Sequence, residues 1–430
     1  MTRYSNYNNS ETKWIGSIPD NWGISRLDRE AYIRARLGWR GLKADEYVSS
    51  GYGFLATPNI KGRDIDFTNI NFISAERYFE SPEIILDVGD VLLTKDGSTI
   101  GTTNIVRYLP FPCTVNGSIA VLTPTNGILP LYLYYYLMSP KAQDRFWYLQ
   151  DGQGVPHLFQ RDLRKIEIIK PPLEEQSVIV RHLENKTAEI DGLIEKLRRE
   201  VELLEQYRRE LIARTVTRGL DPDAPMRDSG IEWIGEIPEA WALLRISALY
   251  DIRSQKVNDT DYQPLSVTMN GVVAQLEHVA KTNDGDNRKL VRAGDFVINS
   301  RSDRRGACGI APQDGSCSLI NIVLSPQQSI HNPYFSYLFR SSLFSDEFYR
   351  WGHGIHDDLW TTNWADMKSI QVPVPPLNHQ VLIADYLDKK MFEINSTVTG
   401  INNQIELLGK YRKQVINDAV TGKIRVGKVA

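Results

Sequence analysis

Arginine and lysine gather in two separate stretches of this 430-residue chain, among residue types that let a backbone approach a polyanion. In the first stretch Arg26, Arg29, Arg34, Arg36, Arg40 and Lys43 are interleaved with Tyr32 and Trp39. Lys61-Gly62-Arg63 and Lys95-Asp96-Gly97-Ser98 follow on expected turns. In the second stretch Arg288, Lys289 and Arg292 precede an expected strand, and Arg301, Arg304 and Arg305 follow it in NSRSDRRG. Guanidinium groups pair with phosphate oxygens and guanine edges, while Gly, Ser and Asn keep the backbone unobstructed. The candidate DNA-contacting residues are therefore Arg34, Arg36, Trp39, Arg40, Lys43, Lys61, Arg63, Lys95, Arg288, Lys289, Arg301, Arg304 and Arg305. Asp28, Glu30, Asp45 and Asp303 lie among them, so a solvated, self-neutralised basic face is the competing reading of any single one. The formal charge of the whole chain is −3, so attraction for nucleic acid must come from local patches.

Other chemistry finds little support. There is no P-loop, HExxH or GxSxG motif. Gly51-Tyr52-Gly53-Phe54-Leu55-Ala56 has the spacing of a dinucleotide fingerprint but runs into Thr57-Pro58 instead of a helix. Asn332-Pro333-Tyr334-Phe335 lacks the second proline of an amino-methyltransferase loop and reads as a helix start. His353 and His356 stand near Asp357 and Asp358, but the first stretch offers only His157, which argues against a metal site. Cys113, Cys308 and Cys317 show no CxxC spacing and fit a reducing cytoplasm. No catalytic residue and no metal ligand is expected. Hydrophobic content of 42% and charged content of 24% describe an ordinary globular protein. The longest apolar run, Ile128 to Met138, contains a proline and is too short to span a bilayer, and the polar N-terminus does not read as a signal peptide.

The elements that must position the basic clusters are written twice. PPLEEQ at Pro171 opens a stretch that returns as PPLNHQ at Pro375, 204 residues later, without a gap through Tyr207 and Tyr411. Alternate steps of four and three residues from Leu183 give Leu183, Thr187, Ile190, Ile194, Leu197, Val201, Leu204, Arg208, Leu211 and Thr215. The same walk from Leu387 gives Leu387, Met391, Ile394, Val398, Ile401, Ile405, Leu408, Arg412, Val415 and Ala419. This is a heptad seam with one polar break in the same place in each copy. A helix of about 45 residues spans roughly 65 Å and cannot bury such a stripe alone. Two matching stripes in one chain are expected to bury each other. Gly400 and Gly409 weaken the second helix, which leans more on its partner.

A second marker, WIGSIPDNW (Trp14 to Trp22), returns as WIGEIPEAW (Trp233 to Trp241) and reads as a packed entry turn. After each marker comes a variable block. Strands are expected at Glu83 to Val88 and at Asp90 to Thr94, and one helix from Pro130 to Tyr148. Gly89-Asp90 corresponds to Gly294-Asp295, and Pro130 to Pro333. The blocks share a frame but not a surface. A twofold arrangement would lay the long helices antiparallel and present two different heads to DNA, which is itself twofold symmetric.

With these residues laid out, the chain resembles the specificity subunits of Type I restriction–modification systems. WIGxIPxxW, PPLxxQ and ELLxxYR, each present twice, carry the resemblance, together with LGWRGLKADEYV (Leu37 to Val48) and GDFVINSRSDRRG (Gly294 to Gly306). The resemblance implies an α+β architecture. Two similar α/β target recognition domains are separated by two long helices that pair as an antiparallel coiled coil with pseudo-twofold symmetry. The expected divisions are residues 1–170, 171–220, 221–374 and 375–430. Each recognition domain would read one half of a bipartite, asymmetric double-stranded DNA site, and the helices would set the gap. Two methyltransferase subunits would bring S-adenosylmethionine and methylate adenine. Two restriction subunits would bring ATP and Mg and cut unmodified DNA. This chain would hold no cofactor, act in the cytoplasm and touch no membrane. A free-standing DNA-binding regulator and a coiled-coil assembly scaffold are the alternatives.

Overall fold

The computed structural model describes residues 2–36, 42–151, 155–275, 285–354 and 360–427. The first head runs through β1 (Gly23–Arg26), β2 (Ala31–Arg34), β3 (Val91–Thr94), β4 (Thr103–Ile105) and β5 (Ile119–Pro124). Helices α1 (Pro130–Met138) and α2 (Pro140–Leu149), strand β6 (Glu167–Lys170) and the long helix α3 (Leu173–Arg218) follow. The second half repeats this order with β7 (Ala242–Arg245), β8 (Tyr250–Ile252), β9 (Phe296–Asn299), β10 (Cys308–Ile310) and β11 (Asn321–Pro326). It continues with α4 (Asn332–Arg340), α5 (Ser342–Arg350), β12 (Gln371–Val374) and the long helix α6 (Leu377–Val420).

Each head is built on an antiparallel four-stranded sheet, in the order β2-β5-β3-β4 in the first and β8-β11-β9-β10 in the second. The entry and exit strands pair, β1 with β6 and β7 with β12, so each head leaves the helices and returns to them on one ribbon. Outside this frame the heads differ. The first adds a sheet in which Tyr52–Leu55 runs antiparallel to Asn71–Ile73 and parallel to Cys113–Val115. In the second, Arg288–Val291 is flanked antiparallel by Lys256–Val257 and Gly315–Cys317, and a hairpin joins Leu265–Thr268 to Gly271–Ala274.

Two expectations need correction. Glu83 to Val88 is not a strand: Pro82–Ile84 forms a 3₁₀ turn, and Ile85 makes only one bridge, to Thr114. Pro82 has no N–H, and the Asp87 N–H goes to the Asp90 carboxylate instead of to a ladder. Pro130 to Tyr148 is two helices, because Ser139 takes extended dihedrals and its hydroxyl accepts the Ala142 N–H (3.3 Å), ahead of Pro140. Ser341 breaks α4 from α5 in the same way without a proline.

The chain divides into two compact units, Met1–Leu197 with Asn403–Ala430, and Arg198–Asn402. Each unit therefore holds one head, the start of one long helix and the end of the other, a division different from the sequence blocks. Within the first unit the start of α3 packs on the end of α6, and Leu183 shares a core with Val415, Ile416, Ala419 and Val420. Within the second the end of α3 packs on the start of α6, and Val216 shares a core with Ile383 and Leu387. The pairing is antiparallel in both. Among the seam residues Leu183, Ile190, Leu387, Ile394, Ile401 and Val415 are buried. Ile194, Leu197, Val201, Leu204, Leu211, Val398, Ile405 and Leu408 are partly buried, and none is exposed. The polar break is matched in each unit. Arg412 donates from Nε and Nη2 to Asp191 (2.8 and 3.2 Å), and Arg208 donates to the side-chain oxygen of Asn395.

The head-to-helix joints also repeat. The glutamine of PPLxxQ is buried: Gln176 accepts the Leu129 N–H and donates to Pro171 O (each 2.8 Å), and Gln380 does the same with His331 and Pro375. The Tyr132 hydroxyl donates within reach of the carbonyls of Ile169 (3.0 Å) and Val420 (3.2 Å); Tyr334 does so with Val216 (2.8 Å) and Pro373 (3.2 Å). The Glu-to-His departure in the second PPLxxQ has a consequence. Glu175 accepts from Tyr4 and from the Trp22 indole (2.8 Å each), whereas an open cleft of about 620 Å³ lies among Trp241, His379 and Leu220. Among the described residues no helix is long and apolar enough to cross a membrane.

Leu183→Ala is expected to cost about 2–5 kcal/mol in chemical denaturation, as for a truncated core leucine, while Leu193→Ala on the exposed side of α3 stays within about 0.5 kcal/mol. Gly400 faces open space, so Gly400→Ala is expected to raise stability by about 1 kcal/mol.

Candidate nucleic-acid interface

Each head's central strand, β3 or β9, has a clamp at its start and an exposed loop at its end. The clamp explains the Gly-Asp landmark. Gly89 and Gly294 take positive φ (98° and 89°), a turn that suits residues without a Cβ. The buried Asp90 carboxylate then accepts from Arg34 Nη2 (2.6 Å), the Thr123 hydroxyl (2.5 Å) and the Asp87 N–H (2.9 Å). Asp295 accepts from Arg253 Nε and Nη2 (2.6 and 3.0 Å) and the Arg292 N–H (2.8 Å), and Arg253 also reaches the Ser325 hydroxyl (3.3 Å).

At the other end, residues 95–102 link β3 to β4 and residues 300–307 link β9 to β10. Each loop contains a 3₁₀ turn, Gly97–Thr99 or Ser302–Arg304, and closes on a glycine at positive φ, Gly101 (86°) or Gly306 (75°). Each is held by two backbone bonds to a later segment. Gly97 N donates to Pro156 O (2.9 Å) and Leu158 N to Lys95 O (2.8 Å); Ser302 N donates to Trp360 O (2.9 Å) and Thr362 N to Ser300 O (3.0 Å).

The side chains on this common backbone differ. In the first loop Lys95 pairs with Asp96 (3.0 Å), and the other oxygen of Asp96 meets the His157 ring. In the second, Arg301 and Arg304 flank Asp303 (3.2 and 3.9 Å), while Arg305 lies over the Tyr349 ring (5.2 Å) and pairs with Asp346 (3.3 Å). Arg304 is the most open of these, its side chain 69% exposed. A cleft of about 450 Å³ opens between this loop and the Leu265–Ala274 hairpin, lined by Thr268, Gln275, Arg288, Asn299, Arg304 and Arg305 among others. Amide, hydroxyl and guanidinium groups in one cleft can donate to and accept from base edges.

The predicted residues separate into two classes. Arg301, Arg304 and Arg305 come together on the loop. Lys43, Lys61 and Arg63 are exposed, and the turn carrying the last two is tied to β4 by Asn104 Nδ2, which donates to the Ile60 and Gly62 carbonyls (3.1 Å each). Lys95 is largely covered beside Asp96. Arg34 is a correction: its guanidinium is committed to Asp90, Thr123 and the Ile85 carbonyl (2.8 Å). Arg36 is mostly covered, 3.8 Å from Glu80. Arg288 and Lys289 are corrections too. Arg288 is buried and donates to Ser316 Oγ (2.8 Å), and Lys289 donates to Asn321 O (2.7 Å), its pKa lowered by burial. Trp39 and Arg40, like His356, Asp357 and Asp358, lie outside the described residues. Sequence reasoning missed Arg253, whose signal was its place directly after β8, as Arg34 ends β2, and missed Thr268, Gln275 and Asn299, which carry no charge to betray them. Burial pushes the thiols of Cys113 and Cys308 up to about 12 and that of Cys317 to about 11, so none is a ready nucleophile.

Arg34→Ala and Arg304→Ala should therefore fail in different ways. The first leaves Asp90 buried and unpaired and is expected to cost about 3–5 kcal/mol of stability. The second should leave the denaturation midpoint unchanged. In titrations of the assembled complex with DNA it should cost about 1–3 kcal/mol at one base position, or reduce the salt slope by about one if its partner is a phosphate.

The comparisons with known proteins agree with this architecture. The model of the Type I restriction modification DNA specificity domain matches twice, at residues 49–203 and 249–407. Two Methanocaldococcus jannaschii proteins are similar over nearly their whole length. The Type I restriction enzyme MjaVIII specificity subunit is 25% identical, covering 95% of this chain and 94% of the relative. The putative type I restriction enzyme MjaX specificity subunit is 26% identical, covering 96% of each. Among solved structures, a chain from work on assembly and conformational transition of the type I R-M system has a similar fold, with a TM-score of 0.64 and 16% identity over 95% of this chain and 99% of that one. The HsdS subunit from Thermoanaerobacter tengcongensis has a TM-score of 0.53 and 16% identity over 95% and 98%. With one match of the family model on each half, together covering more than half of its length, this chain belongs to the Type I restriction–modification DNA specificity family.

Proposed function

We propose that this chain is the DNA-recognition subunit of a Type I restriction–modification complex, in which each head reads one half of a bipartite, asymmetric site and the helix pair sets the unread gap. The observation that carries this reading is one backbone frame bearing two different sets of exposed side chains. Two copies of one frame can approach two half-sites of a duplex in the same manner, and different side chains make the half-sites different. The chain is non-catalytic and works with other subunits of the system and with DNA.

The finer composition is proposed from the helices. Leu203 and Tyr207 on α3 are about half exposed one turn apart, and Leu407 and Tyr411 on α6 repeat them. Equal apolar patches, one in each unit, suit two copies of one partner. We assign them to two methyltransferase subunits, which would carry S-adenosylmethionine and modify adenine. Two restriction subunits with ATP and Mg would complete a nuclease that acts in the cytoplasm. Co-expression with the methyltransferase in a methylation-free host, followed by mapping of modified adenines, tests the assignment. A bipartite motif with a fixed gap is expected. An assembled complex that leaves the DNA unmodified would favour a regulator or a scaffold.

The helix pair as a spacer makes its own prediction. One extra turn of four residues in each helix, after Arg199 and after Asn403, adds about 6 Å. At about 3.4 Å per base pair the gap should widen by one to two base pairs, with both half-sites unchanged. An unaltered gap would refute the spacer role.

A further inference from the structure

Resting on the DNA-recognition reading above, we propose that the loop from β3 to the edge strand β4, and its counterpart from β9 to the edge strand β10, are self-contained reading elements. Asp96, Ser98 and Thr99 select bases in one half-site, and Arg301, Asp303 and Arg304 select bases at the corresponding place in the other.

The two loops share one set of main-chain anchors, to which each head adds side-chain contacts of its own, Gln143 to the Gly101 carbonyl (2.9 Å) in the first and the Tyr349 hydroxyl to the Arg304 carbonyl (3.3 Å) in the second. Each is anchored by the same pair of main-chain bonds, Gly97 to Pro156 and Leu158 to Lys95, or Ser302 to Trp360 and Thr362 to Ser300. At its outlet, Thr94 N donates to Thr102 O (2.8 Å) and Asn299 N to Ala307 O (2.9 Å). Frame-equivalent positions then carry different chemistry: Asp96 stands where Arg301 stands, Ser98 where Asp303 stands, and Thr99 where Arg304 stands. A carboxylate only accepts and a guanidinium only donates, so the first pair has opposite hydrogen-bond polarity at the same point of the fold. In the major groove that difference separates the cytosine amino group from the guanine O6 and N7. Ser98, Asp303 and Arg304 are exposed, while Asp96 and Arg301 are partly covered and would exchange their pairing with Lys95 and His157, or with Asp303, for a base edge. A three-residue 3₁₀ turn advances about 6 Å, the length of about two base-pair steps, so each loop should govern about two adjacent positions.

The test is a graft in the full complex. Four residues of the first loop take the side chains of their counterparts, Lys95→Ser, Asp96→Arg, Ser98→Asp and Thr99→Arg, while Gly97 is kept for its φ of 79° and Ile100 for its packing against the core. A lighter variant, Ser98→Asp with Thr99→Arg, covers the case in which the graft does not fold. Each is co-expressed with the methyltransferase, and modified adenines are mapped. The expected result is a motif changed at about two adjacent positions of the first half-site, with the second half-site and the gap intact. An active complex whose first half-site is unchanged, or is altered along its whole length, would overturn the proposal. If methylation is lost, the assembled complex is used to select from random duplex DNA. Enrichment of the second half-site alone supports the loop as the reader of the first, and loss of both half-sites counts against it. Failure of the unmodified chain to direct any bipartite methylation would instead sink the DNA-recognition reading itself.

Discussion

An arginine inside an apolar helix seam must find a partner, and that requirement governs this molecule. Arg412 meets Asp191 in one unit and Arg208 meets Asn395 in the other, and each pair is the other moved 204 residues along the repeat. These contacts are partly exposed, with 18% of the Arg412 side chain and 28% of that of Asp191 accessible, so their net contribution to stability is small. Their value is in register. Sliding one helix by a heptad would keep leucine against isoleucine but would take both arginines away from these partners. Polar residues at core positions of coiled coils act in this way, excluding alternatives that hydrophobic contact alone would tolerate.

Once the register is fixed, the attachment of each head follows. The Gln176 clasp holds the first head to the start of α3, and the Tyr132 hydroxyl holds it to a last-turn carbonyl of α6. Gln380 and Tyr334 do the same for the second head with the helices exchanged. Helix C-termini leave carbonyls without intrahelical partners, and a buried tyrosine satisfies one of them while tying the head to both helices at once. Regions alike in the two halves of the sequence therefore correspond to joints, and the variable blocks begin where the joints end.

The long helices, the seam and its polar break were legible in the sequence because a heptad period repeated over such lengths has one economical solution. Pairing followed from the need to bury two matching stripes, and its antiparallel direction from the twofold arrangement of the repeat and the family resemblance. The repetition of the head was legible from Gly-Asp and the proline-led helix. What it meant was not: the aspartate receives an arginine from a strand dozens of residues away, and pairing across a sheet leaves no local period. For the same reason Arg34, Arg288 and Lys289 read as surface cations. A basic residue between apolar ones looks alike whether it faces solvent or a buried carboxylate, hydroxyl or carbonyl. The strand expected at Glu83 to Val88 failed because alternating burial can also come from an irregular segment anchored by Ile84 and Leu86.

The division between frame and surface accounts for how one fold can hold two specificities in one chain. Asp90 and Asp295 are wholly or almost wholly buried, and their arginines donate to them at 2.6 Å, so these positions tolerate little change. The loop at the far end of the same strand is anchored by main-chain bonds that recur in both heads, and closes on a glycine at positive φ in each. Variation confined to the loop leaves the clamp intact, while a change at the clamp disturbs the strand that presents the loop. The accessory sheets carry the same logic further, since one head builds its sheet around a parallel pair and the other around antiparallel pairs, yet both leave the four-stranded frame in the same order. Divergence between the heads is thus directed outward, away from the helices, by the physics of what is buried.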